Sequence, residues 1–153
     1  MTSFKIGQVT DSHLYGGVSH LGDEPGMERR DTFYRSCLRE VAEHGVDLIV
    51  HTGDLVNGDR GKPYHQRFKT LLDEMGGELG VPILVCRGNH DARITDEEYV
   101  DVWGTGNWLY EHKGWSFLGV DRYWNTYSHG GAQFAMSPES FEEVDELLEK
   151  VPD

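Results

Sequence analysis

Long apolar runs and paired cysteines are both missing from this sequence, and each absence excludes a class of protein. No apolar stretch comes near the roughly 18 residues that a membrane-spanning helix needs. The cysteines, Cys37 and Cys86, lie far apart and match neither a disulfide framework nor a zinc-knuckle spacing. A strand-like pattern begins almost at the first residue, so we expect no signal peptide. These absences predict a reduced, cytoplasmic protein with no membrane partner.

Lysine is scarce, and acidic residues are in excess. Only five of the 14 basic residues are lysines, whereas Asp and Glu number 27, which gives a formal net charge of −13. A chain this acidic should repel bare nucleic acid unless metal ions screen the contact. We therefore expect no stable nucleic-acid binding. The scattered acidic residues suit a protein kept soluble in a high-salt cytoplasm, and an ordinary acidic bacterial enzyme is the alternative.

The length of 153 residues is that of one domain, which we place at residues 1–153. Strands are predicted over residues 5–10, 48–52 and 81–87, with helices between them over 27–44 and 63–75. Such strand–helix–strand units imply parallel strands joined by right-handed crossovers. The predicted core faces of the two helices comprise Phe33, Cys37, Leu38 and Val41 on the first and Phe68, Leu71, Leu72 and Met75 on the second, which Gly76 and Gly77 close.

The pattern changes after residue 91. Residues 108–111 and 115–120 flank His112, Lys113 and Gly114 and predict a hairpin. A loop rich in glycine, tyrosine and tryptophan is predicted over 121–136, and its aromatic side chains could stack on a ring of a ligand. Ser137 and Pro138 then open a last helix as its cap and first residue. The predicted buried face of that helix comprises Phe141, Val144, Leu147 and Leu148.

Side chains of the kinds that bind metal ions follow each of the three predicted parallel strands. Asp11 and His13 follow the first, Asp54 the second, and Asn89 and His90 the third. Ligands gather outside the carboxyl ends of parallel strands, so we expect these side chains at one edge of the sheet. Taken singly, each cluster could be a helix cap or a turn. Their joint arrangement favours a metal site.

The order of these clusters resembles the calcineurin-like metallophosphoesterase superfamily, and within it the cyclic-nucleotide-phosphodiesterase-like branch. The motifs that carry the likeness are Asp11-Ser12-His13, Gly53-Asp54 and Gly88-Asn89-His90-Asp91. The resemblance implies an α/β fold in which mixed β-sheets pack face to face with flanking helices (αββα). Nothing after Asp91 matches the later histidine and the Gly-His-x-His turn of the family. We therefore expect an N-terminal portion of such a domain, incomplete at its C-terminus.

The resemblance also implies a chemistry, the hydrolysis of phosphodiesters or phosphomonoesters by a dinuclear metal centre and a bridging hydroxide. Asp11 and His13 would hold the first metal, Asp54 would bridge both, and Asn89 would hold the second. His90 would be catalytic, as proton donor or charge stabiliser at the leaving group. Mixed carboxylate, imidazole and amide ligands suit two divalent ions such as Mn, Fe or Zn. The expected substrate is a small phosphoester, with nucleotides among the candidates.

Departures from the family pattern leave a second function open. The second metal lacks usual ligands, so the alternative is a non-catalytic phosphoesterase-like binding protein or an inactive truncated fragment. An unpaired strand edge would also favour a homo-oligomer.

Two single residues also depart from the family pattern. Asn57 stands where several branches have an Asp that supports the catalytic histidine, and an amide adds no charge there. Arg87, often proline in the family, is interpreted as a surface residue, with a phosphate contact as the alternative.

The remaining histidines receive milder interpretations. His51 lies in the second strand and is expected to be buried next to the site. His20, His44 and His65 are expected at the surface or in caps. His112 and His129 are the candidates to replace the missing metal ligands.

Overall fold

A computed structural model describes residues 3–15, 24–57, 61–121, 124–127, 132–135 and 138–152. Within these ranges no helix combines the length and the apolar character needed to cross a membrane. The elements, in chain order, are β1 (Ile6–Val9), α1 (Glu24–Glu43), β2 (Leu48–His51), α2 (Lys62–Leu79), β3 (Ile83–Val85), a 3-10 turn (Asp91–Arg93), α3 (Asp96–Trp103), β4 (Trp108–His112), β5 (Trp115–Gly119), β6 (Trp124–Tyr127), β7 (Ala132–Ala135) and α4 (Pro138–Leu148).

One parallel sheet contains the first three strands in the order β1–β2–β3. Ile6 lies opposite Leu48, and Ile49 lies opposite Ile83. Because β2 is central, its residues Leu48 and Ile49 are fully buried. The α/β class and the parallel order predicted from the sequence are confirmed. All three strands run in the same direction, so their carboxyl ends meet at one edge of the sheet.

Helix α2 buries the face that its spacing predicts, namely Phe68, Leu71, Leu72 and Met75, and also His65. Its predicted end at Gly76 and Gly77 is wrong. The helix continues to Leu79 and ends at Gly80, whose φ of 63° is left-handed and whose N–H returns to the carbonyl of Gly76. A single left-handed glycine at this point terminates the helix, whereas two glycines in helical conformation only weaken it.

Helix α1 differs from its prediction at one large residue. The core contains Met27, Tyr34 and Leu38, whereas the side chain of Phe33 is 71% exposed. Residues 27, 34 and 38 repeat at helical spacing and define the buried face. Phe33 lies about 100° around the helix from Tyr34, so it cannot share that face.

The segment after residue 121 also departs from the prediction. The predicted loop contains the antiparallel pair β6–β7, in which Trp124 lies opposite Ala135 and Tyr127 opposite Ala132. The hairpin β4–β5 forms where it was predicted, and the indole N–H of Trp108 donates to the carbonyl of Val85. Three predictions, for His20, His129 and the Ser137 cap, lie outside the described residues.

Helix α4 does not bury the apolar face predicted for it. Phe141 is 57% exposed and Leu148 is 51% exposed. One contact of this helix with the rest of the chain is polar: the amide of Asn107 donates to Glu143 at 2.6 Å. A polar attachment on one side leaves the apolar side toward solvent in the described part of the chain.

His65 was predicted at the surface, and this prediction is wrong. The side chain is 1% exposed and packs edge-on against Trp103, whose indole N–H points at its Nδ1 from 3.4 Å. Burial, followed by the nearby positive charge of Arg87, lowers the pKa of His65 to about 4. The folded chain therefore favours the neutral ring.

We expect the free energy of unfolding to fall as the pH decreases from about 6.5 towards 4. The pKa of His65 in the folded chain lies below its unfolded value, so its contribution is complete at neutral pH and is lost as the pH falls. The pKa difference between 6.5 and about 4 corresponds to about 3 kcal/mol. Urea unfolding at several pH values should show a weaker pH dependence in His65→Leu. The exposed His44→Gln is the control, and parallel pH profiles of wild type and His65→Leu would contradict the expectation.

Candidate metal centre

The loops after β1 and β2 are joined by main-chain hydrogen bonds. The N–H of Asp11 donates to Gly53, that of His13 to Asp54, and that of Leu14 to Leu55, at 3.0–3.1 Å. These bonds continue the pairing of the two strands beyond their ends. They place the predicted ligands of the first loop beside Asp54.

Three of the predicted metal ligands have left-handed backbone conformations. The φ angle is 52° at Asp11, 41° at His13 and 55° at Asp54. For a residue with a Cβ atom this conformation costs of order 1–3 kcal/mol, and such strain concentrates at functional sites. The cross-loop hydrogen bonds hold these residues in place. Backbone strain is therefore located at three of the residues that the sequence predicts to bind metal.

Two glycines allow the loop after β3 (the third loop) to approach the loop after β2 (the second loop). A Cβ atom on Gly88 would overlap the main-chain nitrogen of Asp54, and one on Gly53 would lie 2.7 Å from the Cα of Gly88. The N–H of His90 donates to Oδ1 of Asp54 at 2.9 Å. The glycine of the Gly88-Asn89-His90-Asp91 motif is thus required by close packing, and this packing brings His90 to Asp54.

Asp91 links the same two loops from inside the protein. Its buried carboxylate accepts hydrogen bonds from the N–H groups of Gly88, Leu55 and Val56 at 2.8–3.1 Å. Burial raises the pKa of Asp91 to about 6, although these N–H donors act in the opposite direction. The last residue of the motif is therefore a structural link. Its acidic side chain next to the ligand residues was the only signal of this role in the sequence.

A cluster of metal-binding side chains lies where the loops meet. His13, Asp54 and His90 each offer one ligand atom, and these atoms all lie within 4.8 Å of one another. Nε2 of His13 is 3.5 Å from Oδ2 of Asp54, and the rings of His13 and His90 meet edge to face with centroids 4.5 Å apart. The prediction that His13 and Asp54 share one sheet edge with His90 agrees with this geometry.

The spacing of these atoms tests whether a metal ion would fit. The 3.5 Å between His13 and Asp54 exceeds the usual hydrogen-bond length of about 2.7–3.2 Å. Two ligand atoms that each lie about 2.1 Å from one ion are about 3.0–3.5 Å apart. Imidazole and carboxylate together suit first-row transition metals. His13 and Asp54 therefore fit a divalent ion.

Of the remaining two predicted ligands, Asp11 has a side-chain contact with this cluster, and Asn89 is placed near it only by its position in the chain before His90. Oδ1 of Asp11 is 3.6 Å from Nε2 of His13. The hydroxyl of Thr10 donates to the other oxygen of Asp11 and lowers the pKa of that carboxyl, which keeps it ionised. Asn89 is exposed in the turn that directly precedes His90. Neither position is at the opposite edge of the sheet.

His90 has a defined partner on one side of its ring. Nδ1 lies 2.9 Å from Oδ1 of Asn57. An amide oxygen only accepts, so Nδ1 carries the hydrogen in this contact and Nε2 is left for the site. Asn57 therefore orients the ring, as the family position predicts, and does so without a charge. The sequence assigned His90 a role at the leaving group, as proton donor or charge stabiliser, whereas the structure also places it among the clustered ligand atoms.

A chain of hydrogen bonds that starts at the buried His51 of β2 supports the loops after β1 and β2. His51 is fully buried, as predicted, and its Nδ1 accepts the N–H of Gly53 at 3.2 Å. Nε2 then donates to the hydroxyl of Ser12 at 3.0 Å, which donates to the carbonyl of Leu55 at 2.8 Å. Burial lowers the pKa of His51 to about 4, so the ring is neutral at physiological pH. Ser12, between the two predicted ligands of its loop, was missed as a positioning residue.

Arg87 was predicted at the surface, and this prediction is wrong. Its side chain is 3% exposed and forms ion pairs with Asp96 at 2.7 Å and Asp121 at 3.3 Å. The guanidinium lies 4.6 Å from the ring centre of Tyr99. Because Arg87 directly precedes Gly88, these contacts anchor the third loop to α3.

The other histidines lie elsewhere. His112, a predicted substitute ligand, packs against Phe4 with ring centroids 6.0 Å apart. It does not belong to the ligand cluster found among the described residues. His44 is exposed, as predicted.

Comparison with known proteins gives two results. The family model of the calcineurin-like phosphoesterases matches residues 4–151. The chain is also 34% identical over 99 residues to a probable cyclic nucleotide phosphodiesterase of Psychrobacter arcticus, in a match that covers 62% of this chain and 33% of that protein.

The chain is similar to two further curated proteins, both described as DNA double-strand break repair protein Mre11. The identity is 27% for the protein of Halobacterium salinarum, with 60% of this chain and 25% of that protein covered. It is 32% for the protein of Sulfurisphaera tokodaii, with 60% and 23% covered. The chain thus spans a third of the first relative and about a quarter of the other two.

Proposed function

The chain belongs to the calcineurin-like phosphoesterase family, and from this premise we propose that it hydrolyses phosphoesters with bound divalent metal ions. The convergence of His13, Asp54 and His90 at the carboxyl ends of the parallel strands carries the proposal. Phosphoester hydrolysis requires positive charge around the phosphoryl oxygens and a nucleophile at neutral pH. Bound divalent ions such as Mn, Fe or Zn would supply both.

In the proposed centre the ligands divide between two ions. Asp11 and His13 would hold one ion, Asn89 would hold the other, and Asp54 would serve both. The proximity of Asp11 and Asp54 to the same His13 nitrogen, at 3.6 and 3.5 Å, supports the first group. The position of Asn89 directly before His90, in a loop packed against Asp54, supports the second.

His90 acts on the leaving group in this proposal. Its ring is oriented by Asn57, and its Nε2 is available to hold a proton for the departing oxygen. The edge-to-face contact with His13 keeps the ring beside the ligand cluster. A protonated Nε2 would also stabilise negative charge on the phosphoryl group.

The proposed substrate is a small phosphoester, and phosphodiesters are favoured. The relative from Psychrobacter arcticus is described as a probable cyclic nucleotide phosphodiesterase, which makes a nucleotide one candidate. The net charge of −13 disfavours stable binding of a DNA duplex by this chain.

We expect the purified chain to hydrolyse bis-p-nitrophenyl phosphate in the presence of Mn²⁺ and to lose this activity with a chelator. Release of p-nitrophenolate, followed by absorbance, measures the reaction, and restored turnover after Mn²⁺ is returned controls for irreversible damage. Stoichiometric metal binding with no turnover would instead support the non-catalytic alternative. A chain that binds no divalent ion would contradict both.

A further inference from the structure

A pocket of about 540 Å³ opens beside the ligand cluster. Its walls include His13 and Leu14 from the first loop, Asn57 from the second loop, and one face of α1. The volume lies within the range of about 300–1,000 Å³ that is usual for small-molecule sites. Since His13 and the partner of His90 both line it, the pocket adjoins the place where a phosphoester would react.

The face of α1 in this pocket has a distinct composition. Gly26, Arg29, Arg30 and Phe33 line it, and their spacing of three and four residues places them on one side of the helix. Two adjacent arginines are notable in a chain with a net charge of −13. Phe33 is 71% exposed although it is large and aromatic. It faces away from the core side of α1 and lies in the wall of the pocket, where a ligand would cover its ring.

These side chains define the chemistry of a ligand. Guanidinium groups bind phosphate and carboxylate through paired hydrogen bonds. An exposed aromatic ring stacks on planar rings, and such stacking is tolerant of ring identity. The scissile phosphoryl group belongs at the ligand cluster, so the pocket wall that carries Arg29 and Arg30 would meet a different anionic group of the same molecule.

We propose that this pocket selects phosphoesters that carry a planar ring and a second anionic group. Arg29 and Arg30 hold the second anion, and Phe33 stacks on the ring. The inference rests on the proposed function, because it takes the ligand cluster as the site of hydrolysis. Arg39 offers a matched reference on the same helix, since it pairs with Glu78 of α2 and does not line the pocket.

Equilibrium binding without metal tests the inference independently of turnover. The probes are adenosine 5′-monophosphate and adenosine, measured by calorimetry in a chelating buffer, in which the metal-free cluster does not attract a phosphate. Both have the ring, and only the first has an anion for the arginines. We expect the wild type to bind the monophosphate about tenfold more tightly, as a charge-assisted hydrogen bond would provide. The double variant Arg29→Gln/Arg30→Gln should lose this preference, whereas Arg39→Gln should keep it.

The ring is tested by Phe33→Leu, which keeps an apolar side chain at an exposed position and so leaves the fold unaffected. We expect it to weaken both probes by about five- to tenfold, the usual effect of removing one stacking partner. Equal binding of the two probes by the wild type, or unchanged binding in the variants, would overturn the inference. Hydrolysis of bis-p-nitrophenyl phosphate without this binding pattern would remove the inference alone. The binding pattern without hydrolysis would remove the proposed function and leave the pocket as a binding site.

Discussion

Replacing Asp54 with asparagine is expected to abolish binding of both proposed metal ions and, with it, hydrolysis. Asparagine tolerates the left-handed conformation at this position and keeps an oxygen to accept the N–H of His90. The change therefore removes the charge while the third loop keeps its main anchor. Loss of an outer partner of a metal ligand costs about 10–100-fold in affinity, and a direct bridging ligand should cost more than ~100-fold.

Counting the metal ions separates this role from that of Asn89. Asn89→Ala should weaken one ion only, because the proposal assigns the amide of Asn89 a single ion and the carboxylate of Asp54 both ions. Elemental mass spectrometry after dialysis, with calorimetric titration of Mn²⁺, measures both effects. The exposed Asp73→Asn, which changes a carboxylate on α2 that pairs with Lys69, is the control. Equal losses in the Asp54 and Asn89 variants would show that a single ion binds.

Replacing His90 with alanine is expected to lower turnover by roughly 10²–10⁴-fold, the usual contribution of a general acid. The metal content should stay unchanged, since the proposal assigns the ions to other side chains. The reduction should be largest for a substrate with a poor leaving group, because a departing alkoxide needs a proton more than p-nitrophenolate does. Steady-state rates on an alkyl and an aryl phosphodiester, with metal counts on the same samples, provide the measurement.

A loss of metal from the His90→Ala variant would have a definite structural meaning. His90 lies among the clustered ligand atoms, so a loss of metal together with activity would reassign it as a ligand. Full activity of the variant on the substrate with the poor leaving group would show that His90 has only a structural role. His44→Ala, at an exposed position in another part of the fold, is the control.

The sequence predicts the strands that carry the site because the signal is local. A short apolar run followed by Asp, His or Asn needs only its own residues to be recognised, as at Asp11 and at Asp54. The parallel arrangement then places these residues at one edge, and Asp54 and His90 are indeed hydrogen-bonded there. Family resemblance adds the roles of single residues, which remain proposals.

Residues that act through distant partners escaped the same reasoning. The roles of Arg87 and Asp91 depend on ion pairs and main-chain donors, and the sequence alone does not identify these partners. His65 looks like a surface histidine in a helix, and only its contact with Trp103 shows that it is buried. Such positions are decided by tertiary contacts rather than by local pattern.

Phe33 illustrates another limit of pattern recognition. Apolar periodicity identifies the side of a helix that avoids water, but it does not distinguish a core from a pocket wall. Tyr34 and Leu38 occupy the core, and the neighbouring Phe33 lines the pocket. The hairpin β6–β7 was missed for a related reason, since its abundant turn-forming residues outweighed two short strands.

The hydrogen bonds of Asp91 and the close approach of Gly88 to Asp54 hold the loops of the site together, and this has a consequence for the binding of an ion. The protein's own main chain already fixes the three loops, so their ordering is part of the folding reaction and not of the binding reaction. Little conformational entropy is then lost when an ion arrives. The proposed centre is thus preorganised, and its binding free energy would be available for discrimination between ions of different size and preferred geometry.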